Sequence, residues 1–224
     1  IQAMVAMALL TLPAMAPKVA EAMATSPALV GIYIALAYVG AMVASLVSGG
    51  AVARYGPIRV SQVGLVFCAG GLALCAVPNF WCMGAGALLV GIGYGPITPA
   101  SSHLLSRTTP AHRMSLVFSV KQTGVPLGAG LAGAIVPGLQ LVAGWQAALL
   151  AVAAANLVCA IVSQPLRAAF DADRDRTRRV ALGNFLQPVQ MVLSHAGLRM
   201  LAGCSFLFSI ARACGSHPPS RWRP

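Results

Sequence analysis

The sequence predicts an all-α membrane protein: six transmembrane helices followed by an incomplete seventh span. Three observations predict it. No Asp, Glu, Lys or Arg occurs between Arg59 and Arg107, nor between Lys121 and Arg167. Each gap holds two apolar stretches joined by a Pro- or Gly-containing turn. About 20 apolar residues are needed to cross a hydrocarbon core roughly 30 Å thick, so each gap has the length of one membrane hairpin. The composition agrees: 58% hydrophobic and 8% charged residues leave too little charge to cover a water-soluble domain of 224 residues. The net charge of +11 is carried by cations at the ends of apolar runs. They form no basic stripe interleaved with aromatics, so the expected partner is a lipid bilayer and not nucleic acid.

Taken in order, span 1 is expected over Gln2 to Ala20, with Pro13 and Pro17 near its outer end. Span 2 covers Ala28 to Ala53 and span 3 Val60 to Val77, with Pro78-Asn79 as the turn. Span 4 covers Phe80 to Ser106, span 5 Met114 to Val136 and span 6 Trp145 to Pro165. The runs are too long for strands and lack a period of two. Together they make a bundle over residues 1–165. The apolar start has no basic leader and is followed by further spans, so it reads as a helix and not as a signal peptide.

Orientation follows from the retention of cationic loops in the cytoplasm. Arg54 and Arg59 lie between spans 2 and 3, Arg107 and Arg113 between spans 4 and 5. Arg167, Arg174, Arg176, Arg178, Arg179 and Arg199 follow span 6. The opposite side carries only Lys18, near Glu21. The expected N-terminus is therefore cytoplasmic. Trp81 and Trp145 begin spans at the outer surface, where indoles anchor.

Residues 166–196 read as a solvated cytoplasmic linker, with Asp171, Asp173 and Asp175 interleaved among arginines. Residues 185–193 suit a short amphipathic helix lying on the membrane. Residues 197–210 read as an incomplete seventh span, because the apolar run from Met200 to Ile210 is too short to cross. Residues 211–224 form a basic, proline-rich tail unlike any part of a span. A reading-frame change or truncation in span 7 is the expectation, a natural basic tail the alternative. Ile1 in place of Met adds the expectation that residues precede it.

The turn between spans 2 and 3 reads Ser48-Gly49-Gly50-Ala51-Val52-Ala53-Arg54-Tyr55-Gly56-Pro57-Ile58-Arg59. It resembles the G-x-x-x-D-R-x-G-R-R loop of the major facilitator superfamily. Gly49, Arg54 and Gly56 match. Ala53 stands where that family has an acid, and Arg59 follows one residue late. Span 5, with Lys121-Gln122-Thr123-Gly124-Val125-Pro126-Leu127-Gly128, is similar to the Gly/Pro-rich fifth helix often associated with exporters. The Pro is displaced from the family's usual order. Ala87 lies near the place of an arginine that many members carry in span 4, so proton coupling there is unsupported. The resemblance implies the N-terminal six-helix half of a twelve-span carrier, built as two inverted three-helix repeats around a central substrate path. It also implies a gating role for Gly49, Arg54, Gly56 and Arg59.

Lys121 is the sharpest candidate for chemistry. It lies about two turns inside span 5, where a charge is expensive. Helical spacing sets Lys121, Gly124, Gly128 and Ala132 on one face of small residues, which packs on protein and not lipid. Lys121 then points into the bundle, where a cation attracts an anionic substrate; snorkelling to the interface is the alternative. Gln122, Tyr94, Tyr38, Thr11 and Asn156 are further polar groups within spans, able to line a path or to bond a neighbouring helix. Gly124, Pro126 and Gly128 serve helix packing. His103, beside Ser101 and Ser102, reads as an interfacial residue.

The function expected is secondary transport of a small solute, an organic anion or drug-like compound, by alternating access. A lone half needs a second six-helix half, so the alternative is a non-functional fragment. An intramembrane enzyme is the remaining class, and it is disfavoured. No G-x-S-x-G or H-E-x-x-H occurs, and no acid lies within spans 2 to 6. The six cysteines form no C-x-x-C pair, and no metal or cofactor is expected. Thirteen arginines against two lysines suggest a GC-rich bacterial gene, hence an inner-membrane location.

Overall fold

A computed structural model describes residues 1–23, 26, 29–171, 190 and 192–215, with side chains of the last helix through Phe208. The described residues contain helices and turns and no strand. They divide into two compact units, Ile1–Ala181 and Leu182–Pro224.

The first unit contains the six spans. Span 1 is α1 (Gln2–Ala14) followed by α2 (Ala16–Ala22). The two are bent by 52°. The cause is local: Pro13 and Pro17 remove consecutive i→i−4 hydrogen bonds around Met15. Span 2 is α3 (Leu29–Tyr55), and span 3 is α4 (Pro57–Cys75). Span 4 is α5 (Phe80–Tyr94) continued by α6 (Ile97–Thr108), interrupted at Gly95-Pro96. The Asn79 side chain caps α5 by accepting from the Trp81 N–H at 2.9 Å.

After a short 3-10 turn at Ala111–Arg113 come α7 (Met114–Gln122) and α8 (Gly124–Val162). The stretch Ala111–Val162 is 52 residues long, about 78 Å as one rod and far more than a bilayer holds. Gly144 resolves this, with φ 86° and ψ 164° inside α8, a conformation only glycine adopts freely. Span 5 ends before it and span 6 begins at Trp145. With four long apolar stretches, one of them doubled by this break, and the bent first pair, six spans result. A terminal helix, α9 (Leu166–Phe170), follows span 6.

The packing shows the repeat. Span 1 packs on span 5, where a Cβ at Gly128 would strike the Ala3 carbonyl and the Ala6 methyl. Span 2 packs on span 4, where Cβ atoms at Gly91 and Gly95 would strike the Ala37 and Ala41 carbonyls. Span 3 meets span 6 through Gln62, whose Nε2 donates to the Ala160 carbonyl at 3.0 Å and to Gln164 Oε1 at 2.8 Å. Exchanging spans 1–3 with 4–6 maps the first pair onto the second and the third onto itself, as two inverted three-helix repeats require. The first helix of each repeat is interrupted after a similar length, 13 residues in α1 and 15 in α5.

Lipid offers no hydrophobic drive between helices, so glycine and alanine at these seams let dispersion and interhelical hydrogen bonds act. Leu12, Leu65, Leu72, Val90, Leu149 and Val152 fill the centre. Met42, Val66, Leu141, Val142 and Ile161 remain exposed on the outside, as a lipid-facing surface requires.

The second unit contains α10 (Ala196–Gly215). The helix runs past Ile210, where the sequence sets the end of the apolar run. Its apolar part, Ala196–Phe208, is shorter than a span. The amphipathic helix expected over 185–193 lies almost wholly outside the described residues, as do Asp173, Asp175, their neighbouring arginines and the tail from Ser216 onward.

Candidate functional site

Lys121 sits on α7 about 10 Å along span 5 from Met114. Its ammonium donates to Ser102 Oγ at 2.7 Å and to the Thr98 carbonyl at 3.2 Å. Both acceptors belong to α6. Thr98 is ten residues from the end of that helix at Thr108, roughly 15 Å by helical rise, so the side chain reaches along the bundle and does not run to its basic end. The Phe118 ring lies 5.7 Å from Lys121 Nζ, a cation–π distance. Across the same spot, Gln2 Nε2 of α1 donates weakly to Thr98 Oγ1 at 3.4 Å. Gln2 Oε1 is buried and makes no hydrogen bond. Spans 1, 4 and 5 thus meet in one polar cluster.

The expected face behind Lys121 forms. Gly128 and Ala132 are buried and Gly124 half-buried, where its hydrogen faces Gln2 Cβ. Pro126 removes the hydrogen bond to the Gln122 carbonyl, and the helix pauses at Thr123 between α7 and α8.

The other path candidates are placed less closely. Gln122 is exposed beside Lys121. Tyr38 is 55% exposed on α3, and Tyr94 is half-buried against the core at the end of α5, both on the span 2–span 4 pair. Thr11 is fully buried, and its hydroxyl donates to the Met7 carbonyl of its own helix at 2.7 Å. Asn156 is likewise buried and donates to the Val152 carbonyl at 2.8 Å. His103 is exposed; Trp81 is 80% exposed, while Trp145 packs against the core. Two apolar cavities lie elsewhere. One of about 410 Å³ is formed by spans 1, 2 and 4 around Leu12, Tyr33 and Trp81. One of about 480 Å³ is formed by spans 2, 3 and 4 around Ser48, Tyr55 and Arg59. Neither is lined by Lys121 or the other five path candidates.

The turn between spans 2 and 3 is a single glycine wide. Gly56 joins α3 to α4 with φ 92° and ψ 154°. Arg54 stacks its guanidinium 5.4 Å from the Tyr55 ring centre, and Gly49 faces open space. Arg59 is exposed, but its backbone N–H donates to Asp171 Oδ2 at 3.0 Å. Ile58 N–H donates to Asp171 Oδ1 at 2.9 Å. Asp171 is 3% exposed, so the reading of it as a solvated linker acid is corrected: its carboxylate seats on the N-terminus of α4, where free N–H groups and the helix dipole favour an anion. A Cβ at Gly56 would run into that carboxyl group. Arg167 Nε lies 3.9 Å from Oδ2 and adds little directional bonding.

Sequence reasoning missed Gln2, Thr98, Gln62 and Asp171. The isolated glutamines inside apolar runs were the available signal for Gln2 and Gln62. For Asp171 no local signal exists, because its partners are more than a hundred residues away.

Six apolar spans whose pairing repeats between the two halves, with Lys121 bonded to span 4 among the described residues, form an all-helical membrane bundle. Residues 1–216 match the family profile of the Major Facilitator Superfamily, and the chain belongs to that superfamily. A comparison with curated protein sequences returned no match. Members of this superfamily are membrane transporters, not enzymes.

Proposed function

We propose that these six spans are the N-terminal half of a secondary active transporter that moves a small solute by alternating access. The observation that carries this reading is the Lys121 cluster. It joins the first helix of each repeat, spans 1 and 4, to span 5, and repeat-related helices of this kind line substrate paths. Gln122, Tyr38 and Tyr94 extend the path. Thr11, with its hydroxyl satisfied inside its own helix, contributes to packing instead. The turn at Gly49, Arg54, Gly56 and Arg59 gates the basic end, with Asp171 supplying the carboxylate that Ala53 does not. The reading sets the N-terminus and all basic turns in the cytoplasm of a bacterial inner membrane. Alternating access also needs a second six-helix half, supplied by further chain or by another copy.

Two measurements test this. Arg113→Cys and Val77→Cys in a cysteine-free background should react with a membrane-impermeant maleimide from opposite sides of intact cells, Val77→Cys from outside. Labelling of Arg113→Cys from outside overturns the orientation. Uptake or counterflow of small solutes into proteoliposomes should depend on the protein. Absence of any such flux, from a preparation that also holds a second half, overturns the transporter reading.

A further inference from the structure

We propose that Lys121, Ser102 and Thr98 form a binding site for a small carboxylate, which makes the cargo a monoanionic organic acid; this rests on the transporter reading and gives its site a substrate class. The chain's four acids are Glu21, Asp171, Asp173 and Asp175, so no carboxylate lies anywhere between residues 22 and 170. Lys121 is the one cation in the stretch Met114–Val162 that forms spans 5 and 6. A cation at membrane depth ordinarily has a carboxylate partner, and residues 22–170 supply none to Lys121.

The neighbours supplied are neutral oxygens, and their hydrogen bonds leave donors over. The ammonium has three N–H groups and uses two, on Ser102 Oγ and the Thr98 carbonyl. Ser102 Oγ accepts from Lys121 and Thr98 Oγ1 accepts from Gln2, so neither hydroxyl hydrogen is consumed in those contacts. One ammonium N–H and the Ser102 hydroxyl are thus left to donate side by side with a net charge of +1, and the Thr98 hydroxyl lies on the residue whose carbonyl holds the ammonium. A carboxylate carries only acceptors and a charge of −1, and matches that set.

Thr98 is exposed and Lys121 only half-buried, so the cluster opens on a face of the bundle. Polar groups at this depth cannot face hydrocarbon, so this face suits a watered path or the seam with the second half. Gln2 Oε1, buried beside Thr98 without a partner, is a further polar group that nothing in the bundle satisfies. Phe118 lies against the ammonium on one side.

The test uses the whole chain in lipid nanodiscs, with acetate, lactate and benzoate as probes and acetamide, lactamide and benzamide as their neutral counterparts. Binding is read by calorimetry and by thermal protection. At least one carboxylate should bind while its amide does not. Lys121→Gln should weaken that binding about ten- to a hundredfold, the range of a charged hydrogen bond, while Lys121→Arg retains most of it. Melting curves of both variants report folding, and the charge-keeping Arg variant keeps the test valid if Gln disturbs packing. Binding of no carboxylate, equal binding of the amides, or unchanged binding by Lys121→Gln each overturns the proposal. Proteoliposome flux separates the two readings: flux of neutral solutes alone sinks the anion site and leaves transport standing. Carboxylate binding lost in Lys121→Gln, without flux of any solute beside a second half, does the reverse.

Discussion

Replacing Asp171 by Ala removes the carboxylate from the start of α4. Two hydrogen bonds to a charged acceptor are lost, from Ile58 N–H at 2.9 Å and Arg59 N–H at 3.0 Å. Each such bond contributes about 1.5–3 kcal/mol, and a buried N–H left unpaired costs about as much. The Ile58 N–H is buried and has no substitute, whereas Arg59 lies at the exposed edge, where water replaces the lost oxygen. The expected net loss is therefore about 3 kcal/mol. Asp171→Asn retains one acceptor oxygen and should lose about half as much. Gly56→Ala should match or exceed the Asp171→Ala loss, because it adds the roughly 1–3 kcal/mol cost of a glycine-only backbone conformation and pushes the carboxyl group off its seat. The assay is reversible unfolding of the purified chain in mixed micelles by increasing SDS, followed by circular dichroism. A loss below about 0.5 kcal/mol for Asp171→Ala, the level of an ordinary surface change, would refute the capping argument.

Other expectations concern the seams. Gly128→Ala should destabilise the bundle by more than about 2 kcal/mol through overpacking against the Ala3 carbonyl. Gly133→Ala, on the same helix with open space around it, should stay within about 0.5 kcal/mol in the same SDS titration. Gln62→Leu removes the two hydrogen bonds joining spans 3 and 6 and should cost about 1–2 kcal/mol, read as a lower SDS midpoint. Among native thiols, Cys68 and Cys75 are buried and Cys204 is exposed; maleimide in micelles should modify Cys204 within minutes and spare the other two until denaturant is added.

The spans were legible in the sequence because charge spacing and bilayer thickness act over whole helices. Nothing subtle in packing can hide two apolar runs of membrane length. The hairpin between spans 5 and 6 was legible for the same reason, since no helix of 52 residues fits, and the uncharged turn there resolves at Gly144. Lys121 stood out by its depth, but its partners did not, because Thr98 and Ser102 reach it only through the packing of spans 4 and 5. Asp171 was misread for a physical reason. Its neighbours in sequence are alternating acids and arginines, a pattern of solvated chain, and only the fold brings an open helix N-terminus to it. Helix α10 continues past the apolar run because run length measures what a membrane will accept, not how far a helix continues; Ala211 and Ala213 are good helix formers.

Carbonyl-on-glycine contacts at Gly128, Gly91 and Gly95 have a mechanical consequence. Interlocked backbones, unlike long flexible side chains, offer no slack for one rod to slip along another. Spans 1 and 5 are locked as one pair and spans 2, 3 and 4 as one group, because Gly64, Gly71, Gly86 and Gly93 meet backbone carbonyls between spans 3 and 4 in the same way. Bending is left to the proline-bearing joints at Met15 and Gly95-Pro96, where the helices are already interrupted.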